Sequence, residues 1–447
     1  MVLWNETGFA MRKILRKTIF ATAAVALILF AGCSTQRRET TTVVRTLPNG
    51  ITIAVQENYA SEVVAVQLWM RDGVLFEKPE EAGIANLLRE MMFAQTEGAE
   101  RGEIGEEIEY LGGTHTTACR HDFVQYAAIV PADYFRSVME LLHEGLTKPV
   151  FDEELLEWAK GASSNPAIIS SRSIDRAYRL CLKEIMGDHP YGRPYEGDPD
   201  IVKALTVEDV RERFEERYVG NNMLVAVSGS VDAVDAADLV ADVLSDIEPG
   251  VLAEPASPPV TWPTESSRVV ETGDVRNAIQ VIAFPGPGVT SADSVTMDVL
   301  LVILMEGRSS RLNVRLREEL GLASYVGAGW FTQHQPSPLF VWMDLPSENL
   351  EEAEKAVVDL LKEFATEEVS PEELAKAKVL LETGNLRMVE TAEGSAFHLG
   401  YWNSIGGEEF ASRYLERLNQ TTAEQIQEAA AKYFGDGVHA TAVILPE

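Results

Sequence analysis

The stretch LTVEDVRERFEERYVGNNMLVAVSG, residues 205–229, decides the fold because a similar stretch occurs a second time in the chain. Its counterpart is QTTAEQIQEAAAKYFGDGVHATAVIL, residues 420–445. Each copy begins with a threonine suited to cap a helix, Thr206 or Thr421, and continues as an amphipathic helix, a turn and an apolar strand. The offset of about 215 residues is far longer than a solenoid period, so a whole domain is duplicated.

Two further pairs of segments repeat at a similar offset. Residues 131–160 parallel 346–378, each giving a proline, a helix, a short connection and a second helix. Residues 62–73 parallel 277–288, each an apolar strand before a turn and a helix. Strands followed by runs of helices predict an α+β fold with two homologous domains, each a mixed or antiparallel sheet with helices packed on one face.

The proline-rich segment 248–265, EPGVLAEPASPPVTWPTE, has little periodic pattern and predicts an interdomain linker. The two predicted domains therefore span residues 46–247 and 266–447. A chain of 447 residues is long enough for two domains of ordinary size.

The N-terminal segment, residues 1–33, resembles a bacterial lipoprotein signal. A cluster of arginines and lysines precedes the apolar run Ile19–Phe30, which is too short for a comfortable membrane span. The run ends in LFAGC, so we expect lipid attachment at Cys33 and, with Ser34 next, a location on the periplasmic face of the outer membrane. An uncleaved anchor helix is the alternative. Residues 34–45 are polar and predict a tether.

The formal net charge of −32 makes binding of nucleic acid or anionic lipid unfavourable. It favours cationic peptides, although acidity alone is more often a solubility trait. Beyond Cys33 the chain has only Cys119 and Cys181. Two cysteines in an exported protein can pair, and the sequence leaves that open.

Three segments carry a resemblance to a known family: TLPNGITIAVQEN at 46–58, the region 189–229 beginning HPYGRPYEGDPD, and EGRSSRLNVRLREELGLASYV at 306–326. They are similar to the insulinase and mitochondrial-processing-peptidase family of zinc peptidases. The resemblance implies two α+β domains that face each other and form half of a clam-shell chamber. It also implies a second subunit that closes the chamber around a peptide.

The family's inverted zinc motif, H-x-x-E-H, corresponds here to GIANLLREMMF, residues 83–93. The two histidine positions carry Asn86 and Glu90, and the position of the general base carries Arg89. The third ligand position corresponds to Pro166. The resemblance therefore implies that all ligands and the base are replaced.

Arg89 is the decisive change. A guanidinium about 5 Å from a divalent cation costs roughly 6–7 kcal/mol at an effective dielectric near 20, and arginine does not act as a base because it stays charged. We therefore expect no metal and no catalytic residue at these positions. The stripe of Ile84, Leu87, Leu88 and Met91 predicts a core-facing helix, with Asn86, Arg89 and Glu90 on the opposite polar side, solvated or facing the chamber.

A second candidate metal site lies in GGTHTTACRHDFVQY, residues 112–126. As a strand it would place His115, Thr117, Cys119 and His121 on one side. These side chains spread over roughly 20 Å, too far for one tetrahedral centre. A polar strand of the cleft with one buried cysteine is the favoured interpretation.

The second domain retains candidate peptide contacts. The resemblance implies an arginine and, seven residues later, a tyrosine that reach substrate across the chamber. Arg317 matches the arginine, whereas Ser324 occupies the seventh position and the tyrosine follows as Tyr325. A shift of one residue turns a strand side chain to the other face, so Arg317 is the stronger substrate contact and a salt bridge with a neighbouring acid is its alternative role.

These observations favour a non-catalytic subunit that pairs with a zinc-bearing paralogue and contributes chamber wall and peptide binding. The zinc is expected in the partner and not in this chain. One alternative is a peptide-binding or assembly lipoprotein without a peptidase partner. Another is an active metallopeptidase with a metal site rebuilt around Glu90, His115 or His121.

Overall fold

The structure is a computed structural model that describes residues 40–163, 173–252 and 257–447. The predicted signal over residues 1–33, including Cys33, and the position Pro166 lie outside the described residues. The part from Thr41 to Glu447 is one unit by its internal contacts. In the described ranges no helix combines the length and hydropathy needed to cross a bilayer.

The first half contains one sheet and a series of helices. In the described residues its strands are β1 (Thr42–Thr46), β2 (Thr52–Glu57), β3 (Val63–Met70), β4 (Thr114–Cys119), β5 (Val124–Pro131) and β6 (Met223–Gly229). Its helices are α1 (Ile84–Met91), α2 (Glu103–Tyr110), α3 (Phe135–Thr147), α4 (Glu153–Ser163), α5 (Ser173–Met186), α6 (Pro199–Ala204), α7 (Val207–Arg217) and α8 (Ala233–Val243).

The second half repeats this plan. Its described strands are β7 (Ser267–Gly273), β8 (Ala278–Phe284), β9 (Tyr325–Trp330), β10 (Leu339–Leu345) and β11 (Ala440–Pro446). Its helices are α9 (Ser294–Met305), α10 (Leu350–Thr366), α11 (Pro371–Met388), α12 (Ala392–Ser404), α13 (Glu408–Gln420) and α14 (Ala423–Phe434), with a π-helical segment at Asn313–Glu319.

The duplication predicted from the sequence is confirmed by strand order. The first sheet has the order β1-β2-β6-β3-β5-β4 and the second β7-β11-β8-β10-β9. In both sheets one parallel pair, β2 with β6 or β7 with β11, joins an otherwise antiparallel sheet. Within the described residues the two sheets differ by β1, which has no counterpart in the second half.

The threonine caps are confirmed in one copy and shifted by one residue in the other. Thr206 caps α7 and forms a reciprocal capping box with Asp209. The cap of α14 is Thr422, paired with Gln425, and not Thr421, which ends α13. Adjacent threonines made the two positions indistinguishable by composition.

The predicted α+β fold, with two homologous halves that each carry a mixed sheet and helices packed on it, is confirmed. In addition, one helix from the opposite half covers the other face of each sheet. Helix α5 packs on β8 and β11, and α12 packs on β3 and β6. Strand β3, VVAVQLWM, is apolar at nearly every position and buried on both faces, which is the pattern of a doubly covered strand. Helices α5 and α12 therefore pack the two halves against each other.

The predicted tether is too long. Residues 42–46 form β1, which pairs with β2 from Thr42 opposite Gln56 to Thr46 opposite Thr52. This antiparallel pairing satisfies backbone groups that a solvated tether would leave to water. In the predicted linker 248–265, the described residues form no helix or strand.

Candidate functional site

Helix α1 is anchored by its apolar stripe, as predicted. Ile84, Leu87, Leu88 and Met91 are each at most 2% exposed and belong to the first core. The buried carboxylate of Glu77 accepts hydrogen bonds from the backbone N–H groups of Gly83, at 3.1 Å, and Ala85, at 3.0 Å. It thereby satisfies free donors at the start of the helix. Burial raises the pKa of Glu77 to about 7, although these bonds lower it.

Two surroundings were predicted for the polar side, solvent or the chamber, and the first does not hold for the three altered positions because they are largely buried. Asn86 is 5% exposed, and the side chains of Arg89 and Glu90 are 13% and 16% exposed. The residue types are those predicted, but their polar atoms are paired with one another and not with bulk water.

Arg89 is the centre of this pairing. Its Nε donates to Asn86 Oδ1 at 3.1 Å, its Nη1 to Thr117 Oγ1 at 2.6 Å, and its Nη2 to the carboxylate of Glu90. Thr117 lies on β4, so the guanidinium ties the helix to the strand. A guanidinium presents donors in a rigid planar fork, which suits three partners at once.

These residues do not fit a zinc ion. The amide oxygen of Asn86 and one carboxylate oxygen of Glu90 accept hydrogen bonds from Arg89, and the guanidinium itself offers no lone pair. In the described ranges no group of three or more histidine, cysteine, aspartate or glutamate side chains is arranged to hold a metal. Helix α1 therefore lacks the two imidazoles and the positioned carboxylate on which the zinc motif depends.

A cavity of about 440 Å³ opens beside the altered helix. Arg89 and Glu90 line one side, His115 and Thr117 of β4 line another, and Trp158 of α4 closes it. The cavity next to α1 is large enough for one side chain of a ligand. The charged groups that it presents there are the paired Arg89 and Glu90.

The strand prediction for residues 115–121 holds only in part. Strand β4 ends at Cys119, and His115 and Thr117 face the cavity beside α1 while Cys119 enters the first core. His121 lies in the turn after the strand, with its Nε2 3.2 Å from the carbonyl oxygen of Arg193. Burial lowers the pKa of His121 to about 4. Because His121 lies beyond the end of β4, it does not share a strand face with His115.

The two remaining cysteines are buried and unpaired. Cys119 belongs to the first core, whereas Cys181 of α5 packs on the second sheet and lies 3.3 Å from the carbonyl oxygen of Ala440. Burial raises the pKa of both thiols. Both are therefore inert packing residues at neutral pH.

Arg317 and Tyr325 are exposed at the surface of the second half. Arg317 Nη1 donates to Asn313 Oδ1 at 2.8 Å, and no acid within the described residues forms a salt bridge with it. Tyr325 begins β9 and is 54% exposed, while Val326 beside it packs on the second core. No hydrogen bond or ring contact joins Arg317 to Tyr325 in the described part of the chain.

Sequence reasoning missed Asp298, a half-buried acid that lines a separate cavity in the second half. The sequence did contain an indication of this acid, because Asp298 is the only charged residue of the otherwise apolar helix α9, SVTMDVLLVILM. The partner of Arg89, Thr117, lies 28 positions away in sequence, and no local pattern indicated that contact.

Two family models match the chain. The model described as Insulinase (Peptidase family M16) matches residues 52–177, and the one described as Peptidase M16 inactive domain matches residues 204–381. An uncharacterized zinc protease of Rickettsia felis is 23% identical over 410 residues, covering 90% of this chain and 96% of that protein.

A probable mitochondrial-processing peptidase subunit beta of Arabidopsis thaliana is 25% identical over 275 residues, covering 59% of this chain and 50% of that protein. The crystal structure of a protease from Helicobacter pylori superimposes with a TM-score of 0.84 at 20% identity, covering 91% of this chain and all of that one. At that identity the structural likeness shows the fold alone.

Proposed function

Because this chain belongs to the insulinase (M16) peptidase family, we propose that it is a non-catalytic subunit of a metallopeptidase complex whose zinc is carried by a paralogous chain. The observation that carries the proposal is the bonding of Arg89 to Asn86, Glu90 and Thr117. A helix whose polar side chains are bonded in this way contributes to the wall of the chamber and to its peptide-binding surface. The partner subunit cleaves the peptide bond.

Exposed apolar side chains support a partner. Val379 and Leu386 of α11 are 60% and 59% exposed, and their spacing of seven residues places them on one face of the helix. Phe331, directly after β9, is 64% exposed. Large apolar groups left in water favour a protein interface.

Peptide binding is the second element of the proposal. Arg317 and Tyr325 are exposed and lack a charged partner within the described residues. The resemblance to active relatives implies a substrate contact for Arg317, whereas Tyr325 lies one residue past the position of the second contact. We assign Arg317 to the peptide backbone or an acidic side chain and Tyr325 to a neighbouring contact.

The proposed location is the periplasmic face of the outer membrane, with a lipid on Cys33. Its support is the sequence of residues 1–33 alone. Replacement of Cys33 by alanine is expected to move the protein from the membrane fraction to the soluble fraction. An unchanged distribution would contradict the lipid anchor.

The decisive experiment mixes the purified chain with a zinc-bearing paralogue and measures cleavage of fluorogenic peptides. We expect no cleavage by this chain alone and a gain of at least tenfold over the paralogue alone. A paralogue with its zinc ligands replaced is the control and should give no gain. Stable association without any gain would favour the alternative role as an assembly or peptide-binding protein, and absence of association would overturn the proposal.

A further inference from the structure

A second cavity, of about 600 Å³, lies in the second half between α9, α11, α12 and α13. Its lining shares no residue with the cavity beside α1. The volume is within the range of pockets that enclose small organic ligands, about 300–1,000 Å³. It arises because α12 turns one face to the first sheet, where Gly400 meets Trp69, and leaves its other face to this space.

Asp298 is the acidic group of this cavity. Its Oδ2 accepts a hydrogen bond from the hydroxyl of Tyr414 at 3.0 Å, and within the described residues no lysine, arginine or histidine nitrogen lies within 4.0 Å of it. Burial raises the pKa of Asp298 to about 7. A half-buried carboxylate without a counter-ion is unfavourable, so an added cation would be stabilised there.

The walls around Asp298 are aromatic. Tyr401 and Trp402 of α12 line the cavity, together with Phe331 and Tyr414. Aromatic faces attract cations, most strongly where water is excluded. The same walls would bury the apolar stem of a long basic side chain.

The remaining polar groups leave room for a positive ligand. Burial lowers the pKa of His398, so this imidazole is neutral at pH 7 and does not repel a cation. Glu306 at the exposed rim adds a negative charge, and Arg387 adds the positive charge that a ligand must avoid. The net charge of −32 favours the approach of cations from solution.

We propose that this cavity binds an organic cation, a guanidinium or alkylammonium group, with Asp298 as its counter-ion and Tyr401 and Trp402 against its faces. The site goes beyond the proposed subunit role, since it needs neither a partner chain nor the altered helix. It is therefore tested on the purified chain alone, and its failure leaves the pairing experiment unaffected.

The test is calorimetric titration of the full chain with Nα-acetyl-arginine amide. Nα-acetyl-citrulline amide, which has the same shape without the charge, is the matched control and is expected to bind at least tenfold more weakly. Nα-acetyl-lysine amide and putrescine distinguish the sources of the cation. Tighter binding of the amino-acid amides indicates peptide side chains, and tighter binding of putrescine indicates free polyamines.

Two variants locate the site. Asp298→Asn keeps a hydrogen-bond acceptor for Tyr414 and is expected to weaken binding of Nα-acetyl-arginine amide at least tenfold. Gly384→Phe places a ring at the cavity border, where no atom lies within 4 Å of the added Cβ, so it blocks the space even if Asp298→Asn fails to fold. Equal binding of the arginine and citrulline amides, no binding at all, or unchanged binding by Gly384→Phe would overturn the proposal.

Discussion

Arg89 on α1 donates a hydrogen bond of 2.6 Å to the hydroxyl of Thr117 on β4. This contact joins the altered helix to the edge of the first sheet, and the same guanidinium neutralises Glu90. Residues that no longer fit a metal have therefore become a structural link between two elements of the first half.

Replacing Arg89 by alanine should destabilise the fold. The variant leaves Glu90 without its counter-charge and Asn86 without a donor, both largely buried, so we expect a loss of about 1–3 kcal/mol. Urea denaturation measures the loss. Arg136→Ala is the matched control, because its ion pairs with Glu140 and Asp242 are exposed and loose, at 3.9 and 3.7 Å. That variant should cost at most about 0.5 kcal/mol, and equal costs for both would contradict the structural role.

The crossing of α12 onto the first sheet depends on Gly400. A Cβ at this position would lie 2.0 Å from the indole nitrogen of Trp69, which is itself buried. Gly400→Ala should therefore separate helix and sheet and cost about 1–3 kcal/mol. Gly384→Ala on α11 is the control, since nothing lies within 4 Å of its added Cβ, and it should stabilise by up to about 1 kcal/mol.

The packing of α5 and α12 on the opposite sheets is what the sequence did not predict. Periodicity shows which face of a helix is apolar, but it does not show which sheet receives that face. The continuous apolar run of β3 is the pattern of a strand buried on both faces, but it does not identify the helix that covers the second face. The duplicated segments were sufficient for fold class and domain number, because each copy carries the same cap, helix and strand.

The residue types at the altered positions could be read from the sequence, whereas their contacts could not. Asn86, Arg89 and Glu90 exclude the zinc chemistry by type alone. Their burial follows from β4, which lies against α1 only in the folded chain. His121 was assigned to the strand because alternation continued through it, whereas Arg120 and Phe123 close a turn there.

The buried imidazole of His121 predicts a stability that falls in acid. Its pKa is lowered from 6.5 to about 4 by burial, so the unfolded chain binds a proton between these pH values while the folded chain does not. The contribution of His121 is present above pH 6.5 and lost as the pH falls towards 4, with a magnitude on the order of 3 kcal/mol.

Denaturation by urea at pH 7.5 and 4.5 checks this. The native protein should lose more stability on acidification than His121→Gln, which has no ionisable group at the position. An identical loss in both proteins would show that other groups cause the acid sensitivity.

The most direct test of the central claim is the zinc content of the purified chain after incubation with zinc and dialysis, measured by atomic emission. The account predicts no stoichiometric zinc in the native protein, because Asn86 and Glu90 replace the two imidazoles and both accept hydrogen bonds from the charged Arg89. The variant with Asn86→His, Arg89→Glu and Glu90→His restores two imidazoles one helical turn apart and is expected to retain more zinc. One tightly held zinc per native chain, with peptide cleavage that a chelator abolishes, would contradict the account.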